Sequence, residues 1–228
     1  MGKLLPKYKM EEAKRLKRNE KISKRRNIEI RPIKISFLIV CEGTKTEPLY
    51  FQALLTNKTS EIREVQIDGA GRGTVSLVKH AIAIRHGSDK DFDRVWIVFD
   101  KDSFTDFDNA IKLANENNIL CAWSNESFEL WYYLHFQYLD NAVSRDQYIT
   151  MLEREFQNRI GDPAFRYQKK NPNIYSLLQK YGNEDQAIKH AERLRSIHRS
   201  KKYATHKPCT TVDILVQELK NPEFLLGQ

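Results

Sequence analysis

The feature that most constrains this chain is the alternation of short apolar segments with helical segments between residues 35 and 123. The apolar segments are rich in β-branched residues, which is typical of strands buried on both faces; they occupy 35–41, 64–67, 94–99 and 119–123. Helical spacing of apolar residues follows each of the first three segments. The predicted fold class is therefore α/β, with a mostly parallel sheet of roughly four strands flanked by helices.

Beyond Trp123 the pattern changes from alternation to helices alone. Apolar periodicity and capping residues predict helices over 128–136, 146–156, 174–181, 185–197 and 212–219. We therefore expect three parts: a basic, flexible arm over 1–34, an α/β core over 35–123, and a helical extension over 124–228 that packs on the core.

Positive charge is concentrated near the two ends of the chain. The formal net charge is +8, and residues 1–34 hold 13 Lys and Arg against four Glu, so the rest of the chain is close to neutral. A second basic cluster extends over 189–207. Such segments bind polyanions through phosphate contacts, but they also occur as solvated or partner-docking tails. The arm is compatible with either role, whereas the second cluster is the more promising phosphate-binding surface, because part of it belongs to a predicted helix.

Composition excludes several classes of protein. No apolar run approaches the roughly 18 residues that a membrane span needs, and no signal-peptide pattern follows the N-terminus. The three cysteines, Cys41, Cys121 and Cys209, have neither disulfide nor zinc-site spacing. We therefore expect a cytoplasmic protein that does not associate with membranes.

Three carboxylates are predicted to stand where strands of the sheet end. Glu42 follows the first strand, and Asp100 and Asp102 follow the third. Ligands bind outside the carboxyl ends of parallel strands, and clustered carboxylates favour a neutralising cation, for which oxygen ligands suit Mg²⁺ or Mn²⁺. For each residue alone a simpler interpretation exists, because Asp100 can cap the next helix and Glu42 can be a surface turn residue. The three together favour a metal site.

Three sequence motifs resemble those of the RloB family. They are IVCEGTKTEP at 39–48, FDKD at 99–102 and SNESFELWYYLHF at 124–136, and the resemblance extends over roughly residues 35–220. It implies a Toprim-like core related to OLD-type nucleases, topoisomerases and bacterial primases. In those proteins the first-strand glutamate and the DxD pair hold Mg²⁺ for phosphoryl transfer, roles that map onto Glu42, Asp100 and Asp102.

The resemblance also implies a biological setting and partners. RloB-like proteins are associated with anti-phage defence, including abortive infection, and are often paired with a separate AAA or ABC-type ATPase. This chain contains no GK[ST] phosphate-binding motif, which agrees with ATP hydrolysis by a partner. A homodimer is compatible with the superfamily, although no heptad pattern supports one.

Two basic residues in glycine-containing turns are candidate phosphate ligands. Lys45 precedes a predicted helix N-terminus, where free backbone N–H groups also bind phosphate; the alternative is an exposed turn lysine. Arg72 lies in the glycine-rich segment 69–73, which lacks GxGxxG spacing and therefore does not predict a nucleotide cofactor. Arg72 is either a substrate contact or a plain turn residue.

The third motif supplies further candidates at the same edge of the sheet. Ser124 and Asn125 follow the fourth predicted strand and are expected to contact substrate, to cap the next helix, or both. Glu129 lies among aromatic residues and needs a partner. It is either a fourth metal ligand with a catalytic role or the ion-pair partner of Lys169 or Lys170, which are also candidates for substrate binding.

These observations predict a divalent-metal-dependent nuclease that hydrolyses DNA or RNA. Asp100 and Asp102 would hold Mg²⁺ or Mn²⁺, and Glu42 would be a ligand or a general acid/base, with Lys45 and Glu129 as further catalytic candidates. One alternative is a non-catalytic nucleic-acid-binding or scaffolding subunit of an ATPase-containing complex. Another is a toxin that cleaves RNA, including tRNA, at the same site.

Overall fold

A computed structural model of the chain describes residues 14, 17, 34–57, 62–71, 73–101, 105–222 and 225. Most of the predicted arm over 1–34 lies outside the described residues, as do the candidate site residues Arg72 and Asp102. Residues 34–228 belong to one compact unit. None of its described helices is long and apolar enough to cross a membrane.

A five-stranded sheet forms the centre of this unit. Its strands are β1 (Ile35–Cys41), β2 (Ile62–Gly69), β3 (Arg94–Asp100), β4 (Leu120–Asn125) and β5 (Cys209–Thr210), arranged in the order β2-β1-β3-β4-β5. The first four strands are parallel, as predicted, and β5 is antiparallel to β4. β5 was not predicted, because a two-residue strand is too short to produce an alternating pattern.

Eight described helices surround the sheet. They are α1 (Thr46–Leu54), α2 (Thr74–Gly87), α3 (Phe107–Glu116), α4 (Glu129–Leu134), α5 (Arg145–Ile160), α6 (Ile174–Tyr181), α7 (Glu184–Ile197) and α8 (Val212–Lys220). Short 3-10 turns span Leu55–Asn57 and Tyr203–Thr205. The predicted helices are therefore present; the largest differences are that α5 extends beyond the predicted 146–156 and that α4 is shorter than the predicted 128–136.

The sheet is buried on both faces, which explains why its strands are continuous apolar runs. In β1, Phe37 and Ile39 pack into one hydrophobic cluster, whereas Leu38 and Val40 pack into a second on the opposite face. The first cluster includes residues of α1 and α4 to α8, and the second includes residues of α2 and α3. This confirms the predicted α/β class with helices on both faces.

The arrangement of β1 and β3 brings their carboxyl ends together. The two strands are parallel neighbours, with Cys41 in register with Val98. The backbone N–H of Glu42 donates to the carbonyl of Val98 at 2.8 Å, so the chain leaves β1 directly beside the end of β3. Residues that follow either strand therefore face the same space.

Candidate active site

A pocket of about 310 Å³ opens at the carboxyl ends of β1 and β3. It collects side chains from the β1–α1 turn, the end of β3, the start of α4, the start of α5 and the loop before α6. The lining residues are Glu42, Gly43, Thr44, Lys45, Thr46, Glu47, Asp100, Phe128, Glu129, Arg145, Lys169 and Lys170. Six of the residues predicted from sequence therefore meet here: Glu42, Lys45, Asp100, Glu129, Lys169 and Lys170.

Glu42 and Asp100 are joined through the backbone of β3. The Oε2 atom of Glu42 accepts a hydrogen bond from the backbone N–H of Asp100 at 3.0 Å. This bond, together with the backbone bond from Glu42 to Val98, fixes the glutamate over the end of β3. The neighbouring strands thus place two predicted carboxylates in one pocket, as the parallel sheet requires.

Asp100 is buried, and its two carboxylate oxygens differ in their surroundings. Oδ2 lies 3.3 Å from Nη2 of Arg145, whereas Oδ1 is buried without a hydrogen-bond partner among the described residues. Burial raises the pKa of Asp100 well above its ordinary value, as do the charges of Glu47, Glu129 and Glu42. Arg145 opposes this shift. An orphaned oxygen of this kind needs a cation or a proton.

Glu47 is a fourth carboxylate of the pocket that the sequence did not identify as a site residue. It lies in the first turn of α1 and is 7% exposed. Burial, with repulsion from Glu129 and Glu42, raises the pKa of Glu47 to about 7. A glutamate in the first turn of a helix is usually explained by its favourable interaction with the helix dipole. The sequence alone therefore gave no reason to assign Glu47 to the pocket.

Gly43 makes room for the Glu47 carboxylate. A Cβ atom at position 43 would lie 2.0 Å from Oε2 of Glu47 and 2.8 Å from its Cδ. Any larger residue at this position would therefore push the glutamate aside. The glycine inside the EGTKTEP segment was the available signal that something packs closely against this turn.

Glu129 forms an ion pair with Lys169. The sequence had left open whether Lys169 or Lys170 is its partner. Nζ of Lys169 lies 3.9 Å from Oε1 of Glu129, and the hydroxyl of Tyr167 lies 3.4 Å from the same oxygen. The side chain of Glu129 is only 4% exposed. The loop that carries these partners is tied to α1, because the Thr46 hydroxyl donates to the carbonyl of Lys169 at 3.0 Å.

Thr46 does not cap α1, although threonine is a common capping residue. It is the first residue of that helix, and its hydroxyl donates to the carbonyl of Lys169 in the distant loop. The residue at the N-cap position is Lys45, which is exposed and lines the pocket. Lys45 therefore stands where a phosphate would meet the backbone N–H groups at the start of α1.

Arg145 is the second site residue that the sequence did not identify. It is the first residue of α5, whose N-terminus is fixed by a capping box between Ser144 and Gln147. This cap orients the start of the helix towards the pocket, where Arg145 meets Asp100. No local pattern marks an arginine at a helix start as a partner of an aspartate 45 residues away.

Ser124 and Asn125 do not line the pocket. Both are buried in β4, where Oγ of Ser124 lies 2.9 Å from Oγ1 of Thr210 and Nδ2 of Asn125 donates to the carbonyl of Ala204 at 3.1 Å. The expectation that they cap the next helix is wrong. Pairing with β5 extends β4 through Asn125, and α4 begins later, at Glu129.

The described carboxylates offer the oxygen ligands that a hard cation prefers, but they do not by themselves form a complete metal site. Within the part of the chain that the structure describes, no group of three or more His, Cys, Asp or Glu side chains is arranged to hold a metal ion. The third predicted ligand, Asp102, lies outside that part. The orphaned oxygen of Asp100 and the crowded carboxylates are features that Mg²⁺ or Mn²⁺ would relieve.

A family model described as RloB-like protein matches residues 37–219, which is most of the chain and includes every lining residue of the pocket. Searches of curated proteins and of solved structures gave no match.

Proposed function

This chain belongs to the RloB-like family, and we propose that it is a divalent-metal-dependent nuclease that hydrolyses phosphodiester bonds in DNA or RNA. The observation that carries the proposal is the buried, orphaned oxygen of Asp100, which lies among acidic residues at the end of a parallel sheet. Lys45, Lys169 and Lys170 line the same pocket. The pocket therefore offers oxygen ligands for a cation and positive charge for a phosphate.

The residues have separable roles in this proposal. Asp100, Asp102 and Glu42 would hold Mg²⁺ or Mn²⁺. When bound, the ion supplies Lewis-acid stabilisation of the charge that develops on the phosphate oxygens during in-line attack. Arg145 neutralises Asp100 and holds its Oδ2 in place, whereas the buried Oδ1 has no hydrogen-bond partner among the described residues.

The lysines of the pocket would bind and orient the substrate. Lys45 lies at the start of α1, where its ammonium group and the free backbone N–H groups attract a phosphate oxygen. Lys169 is engaged by Glu129, which holds its ammonium group at one side of the pocket. Lys170 is exposed beside it. A phosphodiester held by these groups lies against the carboxylates.

We extend the proposal to the biological setting that family membership suggests. The chain would act as the effector of an anti-phage defence system in the cytoplasm and would work with a separate AAA or ABC-type ATPase. Its substrate would be DNA or RNA, including tRNA. The support for this part is the family resemblance alone.

The test is cleavage of plasmid DNA, single-stranded DNA and total tRNA with Mg²⁺ or Mn²⁺. We compare wild type with Asp100→Asn and with Asp140→Asn, an exposed aspartate that serves as a matched control. We expect metal-dependent cleavage that falls at least roughly 100-fold in Asp100→Asn and is unchanged in Asp140→Asn.

Two outcomes would refute this account of the site. Equal cleavage by wild type and Asp100→Asn would show that the chemistry lies elsewhere. Absence of cleavage by every protein, also with the ATPase partner added, would instead favour the non-catalytic nucleic-acid-binding subunit.

A further inference from the structure

A second cavity, of about 380 Å³, lies beside β4 and is separate from the acidic pocket. Its walls come from β4, α3, the segment 198–206 and the start of α8. Among its lining residues are Asn115, Cys121, Trp123, Tyr203, His206 and Ile214. None of the described residues lines both cavities. We call this cavity the β4-edge groove.

The groove exists because the last strand of the sheet is very short. β5 pairs only with Ser124 and Asn125, so on the edge away from β3 no described strand covers the earlier part of β4. Thr211 closes part of that edge: its N–H donates to the carbonyl of Trp123 at 2.9 Å and its hydroxyl to the carbonyl of Cys121 at 3.1 Å. The remaining edge opens into the groove.

Aromatic rings form one wall of the groove. Trp123 lies 6.0 Å from Tyr203 and 6.3 Å from His206, measured between ring centroids. His206 in turn stacks on His198 at 4.6 Å, with only 7° between the ring planes. Flat rings are the surfaces on which proteins stack unpaired nucleobases.

Apolar and polar groups complete the groove around this wall. Ile214 is 41% exposed, which is unusual for a large apolar side chain in this structure. Asn115 lies exposed on α3 at the opposite side and offers an amide donor and acceptor. The volume lies in the range of ligand pockets, and the mixture of rings with a few polar groups is typical of them.

The charge beside the groove indicates which ligand it suits. Residues 193–207 contain six Lys and Arg and no Asp or Glu. Arg195 is used inside the protein, where it forms a two-point ion pair with the buried Asp213 at 2.5 and 2.8 Å. Arg199, Lys201 and Lys202, by contrast, are exposed and alternate along the chain with groove-lining residues.

We propose that the β4-edge groove binds an unpaired base of a single-stranded nucleic acid, with Tyr203 as the stacking residue and Arg199, Lys201 and Lys202 as phosphate contacts. The bases of a duplex are stacked on one another and cannot enter such a groove, so a single strand is the preferred ligand. The inference rests on the proposed function and narrows its substrate class.

The first test measures binding of a fluorescein-labelled 12-nucleotide single strand, as DNA and as RNA, by anisotropy in EDTA. Chelation removes any contribution of a metal ion and of cleavage. Tyr203→Leu removes the ring and is expected to weaken binding about 5- to 150-fold, whereas Tyr203→Phe keeps the ring and should bind within about twofold of wild type. A duplex of the same length should bind more weakly than the single strand.

The second test measures how binding depends on salt. Each phosphate contact to a single strand contributes a slope of about 0.7 in a plot of log affinity against log salt concentration. Replacing Arg199, Lys201 and Lys202 by Gln should therefore reduce the slope by about 2. A control variant with Gln at Lys79, Lys90 and Lys180 removes the same charge from surfaces that do not line the groove, and its slope should stay near that of wild type.

The inference is overturned if wild type and Tyr203→Leu bind equally well, if both triple variants change the slope equally, or if duplex binds as tightly as single strand. Circular dichroism of each variant verifies that it folds. The outcome is independent of the proposed nuclease activity, because binding in EDTA needs neither a metal ion nor cleavage. A protein that binds single strands through the groove but never cleaves would support this inference and refute the proposed function.

Discussion

Replacing Glu47 by Gln should stabilise the metal-free protein, and this effect should depend strongly on pH. Glu47 is buried beside Glu129 and Glu42, and its pKa rises from an ordinary 4.5 to about 7. Between these pH values the folded protein therefore binds a proton that the unfolded chain does not hold. The stability of the wild type must fall as pH rises through this window, because ionised Glu47 is unfavourable only in the folded state.

The size of the effect follows from the two pKa values. One pKa unit corresponds to about 1.4 kcal/mol, so the difference between 4.5 and about 7 is worth about 3 kcal/mol. Glu47→Gln keeps the shape of the side chain and cannot ionise. It should exceed the wild type in free energy of unfolding by about 3 kcal/mol at pH 8, and by only a few tenths of a kcal/mol near pH 4.5. For a chain of this length this corresponds to a melting temperature higher by roughly 6–12 °C at pH 8.

Urea unfolding of both proteins at pH 4.5 and pH 8, in EDTA, measures the two differences. Glu192→Gln is the control, because Glu192 is exposed on α7 and its replacement should change stability by less than about 0.5 kcal/mol at either pH. The reasoning is refuted if Glu47→Gln is no more stable than the wild type at pH 8. It is also refuted if the gain is the same at both pH values, since the gain would then not come from removal of the charge.

Three further perturbations test other parts of the account. Gly43→Ala should displace the Glu47 carboxylate, because the new Cβ would lie 2.0 Å from its Oε2. Nuclease activity should therefore fall even at temperatures where the variant is still folded, which a cleavage assay combined with thermal unfolding measures. Lys169→Met should lower the free energy of unfolding in urea at pH 7 by about 1 kcal/mol, because the buried Glu129 loses its cation. The loss is small because solvent already screens the half-exposed lysine. Burial lowers the pKa of His135 from 6.5 to about 4, so between these pH values the unfolded chain binds a proton that the folded protein does not. The free energy of unfolding should therefore fall by about 3 kcal/mol as pH falls from 6.5 to 4. Comparison with His135→Asn over that range isolates this contribution.

Each of these predictions has a distinct contradicting result. Unchanged cleavage in Gly43→Ala would show that the position of Glu47 is unimportant. For the lysine, the matched variant is Lys170→Met, and equal destabilisation by both would remove the reason to assign Lys169 as the partner of Glu129. For His135, a stability difference between variant and wild type that does not change with pH would show that the buried imidazole does not titrate as described.

The parallel sheet and the meeting of Glu42 with Asp100 could be predicted from the sequence, because both follow from local patterns and a general rule. Apolar runs alternating with helices specify a parallel sheet, and residues after parallel strands share one edge. The register of β1 and β3 then lets the Glu42 carboxylate accept a hydrogen bond from the backbone N–H of Asp100.

Glu47 and Arg145 could not be predicted as site residues, because their roles depend on contacts between distant segments. A glutamate in a first helical turn and an arginine at the start of another helix have ordinary local explanations. Only the packing of α1 and α5 around the end of β3 reveals that both act on Asp100.

The misplacement of Ser124 and Asn125 has a similar cause. Their prediction as capping residues followed the end of the apolar run, but a two-residue strand from residues 209–210 extends β4 past that point. Long-range pairing therefore overrode the local signal, and it created the β4-edge groove by covering only the end of the strand.

The most direct test of the central claim is calorimetric titration of the protein with Mn²⁺ in the absence of nucleic acid. The account predicts that wild type binds the ion, that Asp100→Asn has no measurable binding, and that the control Asp140→Asn binds like wild type. Equal binding by wild type and Asp100→Asn, or no binding by wild type, would contradict the assignment of the acidic pocket as a metal-dependent active site.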